Sequence, residues 1–295
     1  GFTGGEPSVP VTVDTLFPAC SVSKHVTTLA VLRLVQEGRV DLDQNVQRYL
    51  HSWRLPPGQP VTLRALLSHT AGLTAGSYRD YPPGGPLPEL REVLDRVVRA
   101  RPVGSGFRYS NAHFVVIQQV LADVTGCHVA DLLRSSVLDP LGMLHSGYEQ
   151  NVDQWHIGSV AYGHDRHGAP YAGGWRLTPE VAGSGLWSTP EDLARCQLEV
   201  VRAATGGGSV FLSRESAELM VTPVAGEYGL GTATAPRRDS HWFGHPGDRA
   251  SHHAIAATDL RSGAGLVVMA NIAGGSPFAT DLINQLGIDL HYLIG

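Results

Sequence analysis

The sequence predicts an α/β protein of the α+β kind: an antiparallel sheet flanked by helices, with a mostly helical domain inserted into it. Apolar residues recur at helical spacing through most of the chain from Ser21 to Leu138. Strand-like runs cluster late, between Tyr228 and Ala270. Residues 147–187 lie between these regions and are rich in Gly, Pro, Trp and Tyr, which reads as irregular structure with short strands. This order assigns residues 1–45 and 190–295 to the sheet domain and 46–189 to the helical insert. The chain has 295 residues, 42% hydrophobic and 17% charged, which suits a folded globular protein with a sizeable core rather than disorder.

Residues 1–20 are loop-like, with Gly1-Phe2-Thr3-Gly4-Gly5 followed by prolines at 7, 10 and 18. A helix follows from about Ser21 to Glu37. Val22, Val26, Leu29 and Ala30 fall at helical spacing, and Gly38 closes it. Asp41-Leu42-Asp43 begins a turn and a short helical piece toward Tyr49 and Leu50, and Pro56-Pro57-Gly58 breaks the chain. Val61 to Leu67 is helical with Thr62 as its cap, and Ser68-His69-Thr70-Ala71-Gly72-Leu73 leaves it in a turn.

Residues 74–88 form a Pro/Gly-rich loop whose length suits a rim or lid. Glu89 to Arg101 reads as one amphipathic helix stopped by Pro102. Asn111 to Val124 is helical, with Ser110 suited to the cap and Tyr109 to a staple against Phe114. Val129 to Leu138 is another helix, ended by Pro140-Leu141-Gly142-Met143. Thr189-Pro190-Glu191-Asp192 combines a cap, a first-turn proline and two early acids, so a helix runs to about Arg202. Ser213 to Met220 makes one more. Strands are expected at Tyr228 to Ala233, His241 to Gly244, Ser251 to Thr258 and Gly265 to Ala270, with Asp259 to Gly263 as a hairpin connection. Phe278 to Leu293 is a terminal helix.

Ser21 and Lys24 stand one turn apart on the same face at the start of the first long helix. A serine hydroxyl is a poor nucleophile until a neighbouring base takes its proton, and a helix start stabilises developing negative charge. Of the 22 Lys plus Arg residues, Lys24 is the single lysine. Arginine cannot give up its proton in a protein, whereas a buried lysine can. Alone, Ser-x-x-Lys is common by chance, and a helical lysine is ordinarily a solvated one.

The three cysteines, Cys20, Cys127 and Cys196, lack metal spacing and read as free thiols, which favours a reducing compartment such as the cytoplasm. Cys20 is either a rival nucleophile or a small buried hydrophobe. A net charge of −5 without a basic cluster argues against nucleic acid or an anionic membrane as partner, and no apolar run is long enough to span a bilayer. The 14 histidines, His252-His253 among them, show no zinc spacing.

Two further stretches carry chemistry in company with the first. Arg108-Tyr109-Ser110-Asn111 opens a helix, which projects Tyr109 into the space before it, and a tyrosine near an ammonium can act as a general base. Gly244-His245-Pro246-Gly247 sits between two strands, as a turn would.

In this order the three stretches resemble the class C β-lactamase-like serine hydrolases, which include penicillin-binding-protein-like DD-carboxypeptidases, D-aminopeptidases, carboxylesterases and some transacylases. Ser21 and Lys24 look like that family's Ser-x-x-Lys, Tyr109 and Asn111 like its Tyr-x-Asn, and His245 and Gly247 like its His-x-Gly. Leu66 to Leu73, Pro140 to Met143 and Gly183 to Thr189 resemble it too, so the likeness covers most of residues 15–275.

The resemblance implies a site between sheet and insert, where Tyr109 and Lys24 activate Ser21 and the Ser21 and Asp248 N–H groups hold an oxyanion. Asn111 would orient Lys24 or a substrate amide, and His245 would bind or position the acyl group. The substrate would be a small ester or amide, a D-amino-acid peptide among the candidates, with no metal or cofactor. Two alternatives share the fold: a transacylase using the same acyl-enzyme, and a non-catalytic penicillin-binding-like module. The resemblance also has departures. The family's early strands have no counterpart before Ser21, so the sheet is expected to show an open edge. His245 replaces a lysine that holds a carboxylate in β-lactamases. The Asp248 carboxylate either points away from the site or attracts a cationic substrate group.

Overall fold

The computed structural model describes residues 1–76, 79–148 and 160–285. In chain order, β1 (Phe17–Pro18) leads into α1 (Val22–Gln36). A 3-10 turn (Val46–Arg48) precedes α2 (Leu63–Leu67), which Thr62 caps by accepting the Ala65 N–H at 3.1 Å. Next come β2 (Leu73–Thr74), α3 (Leu90–Leu94), β3 (Val98–Arg99) and α4 (Asn111–Thr125). α5 (Val129–Leu133) widens into a π-type turn (Arg134–Leu138). α6 (Val181–Ser184), β4 (Trp187–Ser188), α7 (Pro190–Ala204) and α8 (Arg214–Val221) follow. The chain then forms β5 (Ala233–Pro236), β6 (His241–Asp248), β7 (His253–Asp259), β8 (Gly265–Ala270) and α9 (Ser276–Gln285).

The four late strands form one antiparallel sheet in the order β5-β6-β7-β8, as the alternating runs lead one to expect. Two small pairs, β1 with β4 and β2 with β3, stitch the rest of the chain. β8 pairs with β7 alone among the described residues, so its outer edge is open there.

α1 lies between the sheet and the helical part, touching β6 and β7 on one side and α6 on the other. One continuous core runs from Phe243 and Ala256 of the sheet through Val26 and Leu29 of α1 to Phe114 and Ile117 of α4. On the opposite face, Ala279 and Ile283 of α9 pack with Ile255, Ala257 and Val268. The terminal helix thus covers the sheet as expected, while its stretch beyond Gln285 lies outside the described residues.

Three expectations need correction. The helix expected over Glu89 to Arg101 covers only Leu90–Leu94, because Val98 and Arg99 leave it to pair with Thr74 and Leu73. A tertiary strand pairing overrides the amphipathic pattern there. The strand expected from Tyr228 begins at Ala233, which Tyr228 meets only as an isolated bridge.

The third correction concerns β6. Residues 245–248 do not form a turn; they continue the strand as far as Asp248. The Arg249 N–H donates to His252 O at 2.9 Å and the Leu260 N–H to His241 O at 2.8 Å. With the β6–β7 register, the alternation of an antiparallel ladder turns the backbone groups of Pro246 and Asp248 away from β7. A proline costs no ladder bond at such a position.

α1 reaches the loop before β5 so closely that Gly231 admits no side chain. Its φ is +61°, and a Cβ there would lie 1.8 Å from the Thr28 hydroxyl of α1. Gly231→Ala should lose about 2–4 kcal/mol, combining left-handed strain with overpacking. The loss would be read as a lower urea midpoint at unchanged slope, and an unaltered midpoint would refute this account.

Candidate active site

Ser21 stands at the cap position of α1, just after Cys20, whose φ of 50° is rare for a non-glycine residue. The kink is held by the Val22 N–H on Ala19 O at 3.0 Å and the Ser23 N–H on Cys20 O at 3.1 Å. It presents the Ser21 hydroxyl outward while burying the Cys20 side chain. Burial pushes the Cys20 thiol up to about 12, so it stays protonated at neutral pH and packs as a small hydrophobe.

Lys24 is fully buried. Its Nζ donates to Ser21 Oγ at 3.0 Å and to Gly183 O of α6 at 2.8 Å. The same nitrogen sits 5.0 Å from the centre of the Tyr109 ring. Burial pushes the amine down from 10.5 to about 7, and the neighbouring Arg249 guanidinium acts in the same direction. Between those two pH values an unfolded chain would hold a proton that the folded chain has released. This group's contribution to stability therefore rises with pH across that window.

Tyr109 arrives from the segment before α4. Its hydroxyl donates to Ser21 Oγ at 3.0 Å, so both Tyr109 and Lys24 converge on one oxygen. The expected staple against Phe114 gives way to a ring contact with His69 at 4.4 Å. Ser110 takes the cap position without a side-chain cap bond.

Asn111 opens α4, but its Oδ1 is buried and accepts no hydrogen bond from the described residues. The expectation that Asn111 orients Lys24 is therefore corrected: the Gly183 carbonyl occupies that role. Asn111 instead lines a cavity of about 200 Å³ beside Tyr109, together with Thr74, Arg96 and Glu180. Its free acceptor leaves it suited to a substrate amide.

His245 is not presented to the cleft as a cation. It is buried, and burial pushes its imidazole down to about 3, with the Lys24 charge acting the same way. Its Nδ1–H donates to the carbonyl of Pro246, so Nε2 accepts the Tyr228 hydroxyl at 3.0 Å. Both ring nitrogens are thus engaged within the protein, and the ring lies 6.0 Å from that of Tyr109.

Gly247 lets β6 approach the kink at Ser21. A Cβ there would lie 2.8 Å from Ala19 O, Cys20 Cβ and Ser21 N. Asp248 faces the other side of the sheet, where its Oδ1 meets His253 Nδ1 at 2.8 Å. The carboxylate thus points away from Ser21, while the Asp248 N–H lies on the edge of β6 turned from β7.

Sequence reasoning grouped Ser21, Lys24, Tyr109, Asn111, His245, Gly247 and Asp248 in one neighbourhood. It assigned no role to Gly183, His69, Tyr228 or Arg249. The first two lie in stretches already singled out as family-like. Nothing local marks Tyr228 or Arg249; the latter is held by the Arg176 carbonyl at 2.8 Å and by Asp80 at 3.3 Å.

A serine at a helix start, engaged by a lysine one turn on and by a tyrosine from an inserted helical part, defines a protein of the β-lactamase and penicillin-binding-protein fold. The chain belongs to the Beta-lactamase family, whose model matches residues 1–288. It is 32% identical over 244 residues to Esterase EstB of Burkholderia gladioli, covering 70% of this chain and 62% of the esterase. It resembles the solved D-amino acid amidase of Ochrobactrum anthropi SV3 with a TM-score of 0.74 and 25% identity, covering 90% of this chain and 82% of the amidase. A penicillin binding protein from Bacillus halodurans shares the fold with a TM-score of 0.79 at 22% identity, covering 97% of this chain and 90% of the other. The chain spans about three-fifths of the length of the first curated relatives it matches.

Because Lys24 is the single lysine, its titration can be followed without assignment. In protein made with lysine labelled at Cε, the one side-chain signal should move with a midpoint about 7. A midpoint above about 9.5, close to an unperturbed lysine, would contradict the buried, Ser21-bonded geometry.

Proposed function

We propose that this chain is a serine hydrolase that acts through an acyl-serine intermediate on a small ester or amide. The observation that carries the reading is the convergence of Lys24 Nζ and Tyr109 Oη on Ser21 Oγ, each at 3.0 Å. Ser21 Oγ bonds to the substrate carbonyl carbon as its proton passes to the Tyr109–Lys24 pair. Phenolate with ammonium, and phenol with amine, are two arrangements of one singly protonated pair. The pH dependence therefore reports one macroscopic loss, and kcat/KM should rise through an acid limb at about pH 7.

The tetrahedral oxyanion would be held by the Ser21 and Asp248 N–H groups, a device worth about 3–4 kcal/mol per donor where one has been removed. The carbon–oxygen or carbon–nitrogen bond then breaks, and the leaving group takes the proton from the pair. Water attacks the acyl-serine, delivers its proton to the same pair, and the acid leaves as Ser21 recovers its own. Asn111 Oδ1, without a partner among the described residues, would accept an N–H from an amide substrate.

Intact mass after incubation with a fluorophosphonate should show one adduct, on the peptide bearing Ser21. Ser21→Ala should take neither adduct nor substrate, and Lys24→Arg should lose at least about a hundredfold because it keeps charge but cannot release a proton. An adduct on Cys20 with Ser21→Ala still active would falsify this assignment.

The substrate class follows from His245. A neutral, fully engaged imidazole at that strand position leaves no permanent cation there for a carboxylate. Short-chain activated esters should turn over faster than cephalosporins at pH 7 to 8, in keeping with the esterase among the relatives. Efficient cephalosporin hydrolysis with esters untouched would sink this part of the reading.

A further inference from the structure

His69 is buried one residue beyond the cap of α2, and its φ is 56°. A non-glycine residue persists there only where its surroundings hold it, so the contacts around it bear on its use. Four of them lead to the segment that carries Tyr109, from Phe107 to Ser110. The His69 carbonyl accepts the Arg108 N–H at 2.9 Å. Its ring Nδ1 accepts the Ser110 N–H at 3.3 Å. Its ring lies 4.4 Å from that of Tyr109. The residue on either side of Tyr109 is thus tied to His69 through the backbone, and Tyr109 itself through its ring.

The hydrogen bonds also settle the form of the imidazole. The Leu73 N–H donates to His113 Nε2 at 3.3 Å, which places the His113 proton on Nδ1. That Nδ1–H donates to His69 Nδ1 at 2.8 Å. His69 Nδ1 therefore accepts from two donors, and its own proton sits on Nε2. A proton on Nδ1 would face both donors at once. Burial keeps His113 down to about 3 and His69 well below the ordinary histidine range, so both rings stay neutral.

We propose that His69 is a positioning residue for Tyr109: through the backbone at 108 and 110, and through its ring, it sets the approach of the tyrosine hydroxyl to Ser21. This rests on reading Tyr109 as the proton carrier of a serine hydrolase. Its Oη reaches Ser21 from a segment outside regular secondary structure, and a segment of that kind keeps its place only by such ties. His113, from the first turn of α4, fixes the tautomer that lets His69 accept.

The test compares His69→Ala and His69→Asn in the wild-type and Tyr109→Phe backgrounds, with an activated ester as substrate. Asparagine tolerates the left-handed backbone and keeps a polar side chain able to accept near the Nδ1 position. In the wild-type background, His69→Ala should lower kcat about a hundredfold, with KM within about twofold, as a misplaced reacting group does. His69→Asn should recover about tenfold of that loss, because it retains the acceptor.

In the Tyr109→Phe background, either His69 substitution should cost no more than about twofold further, since residues acting through one another are not additive. Equal losses in both backgrounds, or wild-type kcat in a folded His69→Ala, would overturn the proposal and leave the hydrolase reading intact. Full activity in Tyr109→Phe alone would overturn both. If His69→Ala does not fold, His69→Asn decides by the same comparison.

Discussion

The structure is organised around a lysine with no access to water. Removing an ammonium from solvent is costly unless it is paired or gives up its proton. Lys24 meets that demand by lying between one hydroxyl and one carbonyl, Ser21 Oγ and Gly183 O. Both partners come at the price of geometry elsewhere. α6 must pass directly across α1, and the chain before α1 must kink at Cys20 so that Ser21 turns toward the amine. The two charged neighbours oppose each other: Arg249 disfavours the protonated amine and Glu180 favours it. Burial acts most strongly on the Lys24 amine, and Arg249, Glu180 and the Gly183 carbonyl add their influence from more than 150 positions away in sequence.

The same burial explains why α1 is polar where a core helix is expected to be apolar. His25, Thr27 and Thr28 are all buried, and each finds a partner. Thr27 donates to Ala182 O at 2.8 Å, Thr28 to Lys24 O at 2.7 Å, and His25 Nδ1 meets the Thr232 hydroxyl at 3.1 Å. The enclosed part of α1 offers no solvent face, so Thr27 fastens to α6, His25 to the loop before β5, and Thr28 to the backbone of α1 itself. Gly231 belongs to this fit, since the loop can reach α1 only without a side chain.

Much of this was legible before any coordinates. Local signals predicted α1, α4, α7 and the β7–β8 hairpin, because each has its own periodicity and its own cap or turn residues. The Ser21–Lys24 pair is local too, one helical turn apart. What sequence pattern misjudged depends on distant partners. Val98 and Arg99 read as helix until Leu73 and Thr74 claim them. Asn111 reads as a partner for Lys24 until the Gly183 carbonyl takes that place. In each case residue type was read correctly, and the competing contact came from a part of the chain that no spacing rule could bring near.

The groups that meet at Ser21 share one property: regular secondary structure has left them over. Ser21 sits at the cap of α1, where N–H groups have no partner one turn back. Gly183 lies in a helix of only four residues, whose carbonyls likewise lack a following turn. The Asp248 N–H faces away from β7 on a stretch of β6 that runs past the end of β5, which pairs no further than Gly244. Pro246 fits this edge because it has no N–H to lose there, and Gly247 fits because the kink at Ser21 leaves no room for a Cβ. Elsewhere such unpaired groups would be a liability, open to water or to another chain. Here the ends of a long helix, a short helix and a strand are brought together around one hydroxyl. On the proposed reading, the oriented donors and acceptors for acyl transfer would be supplied by the places where the fold stops.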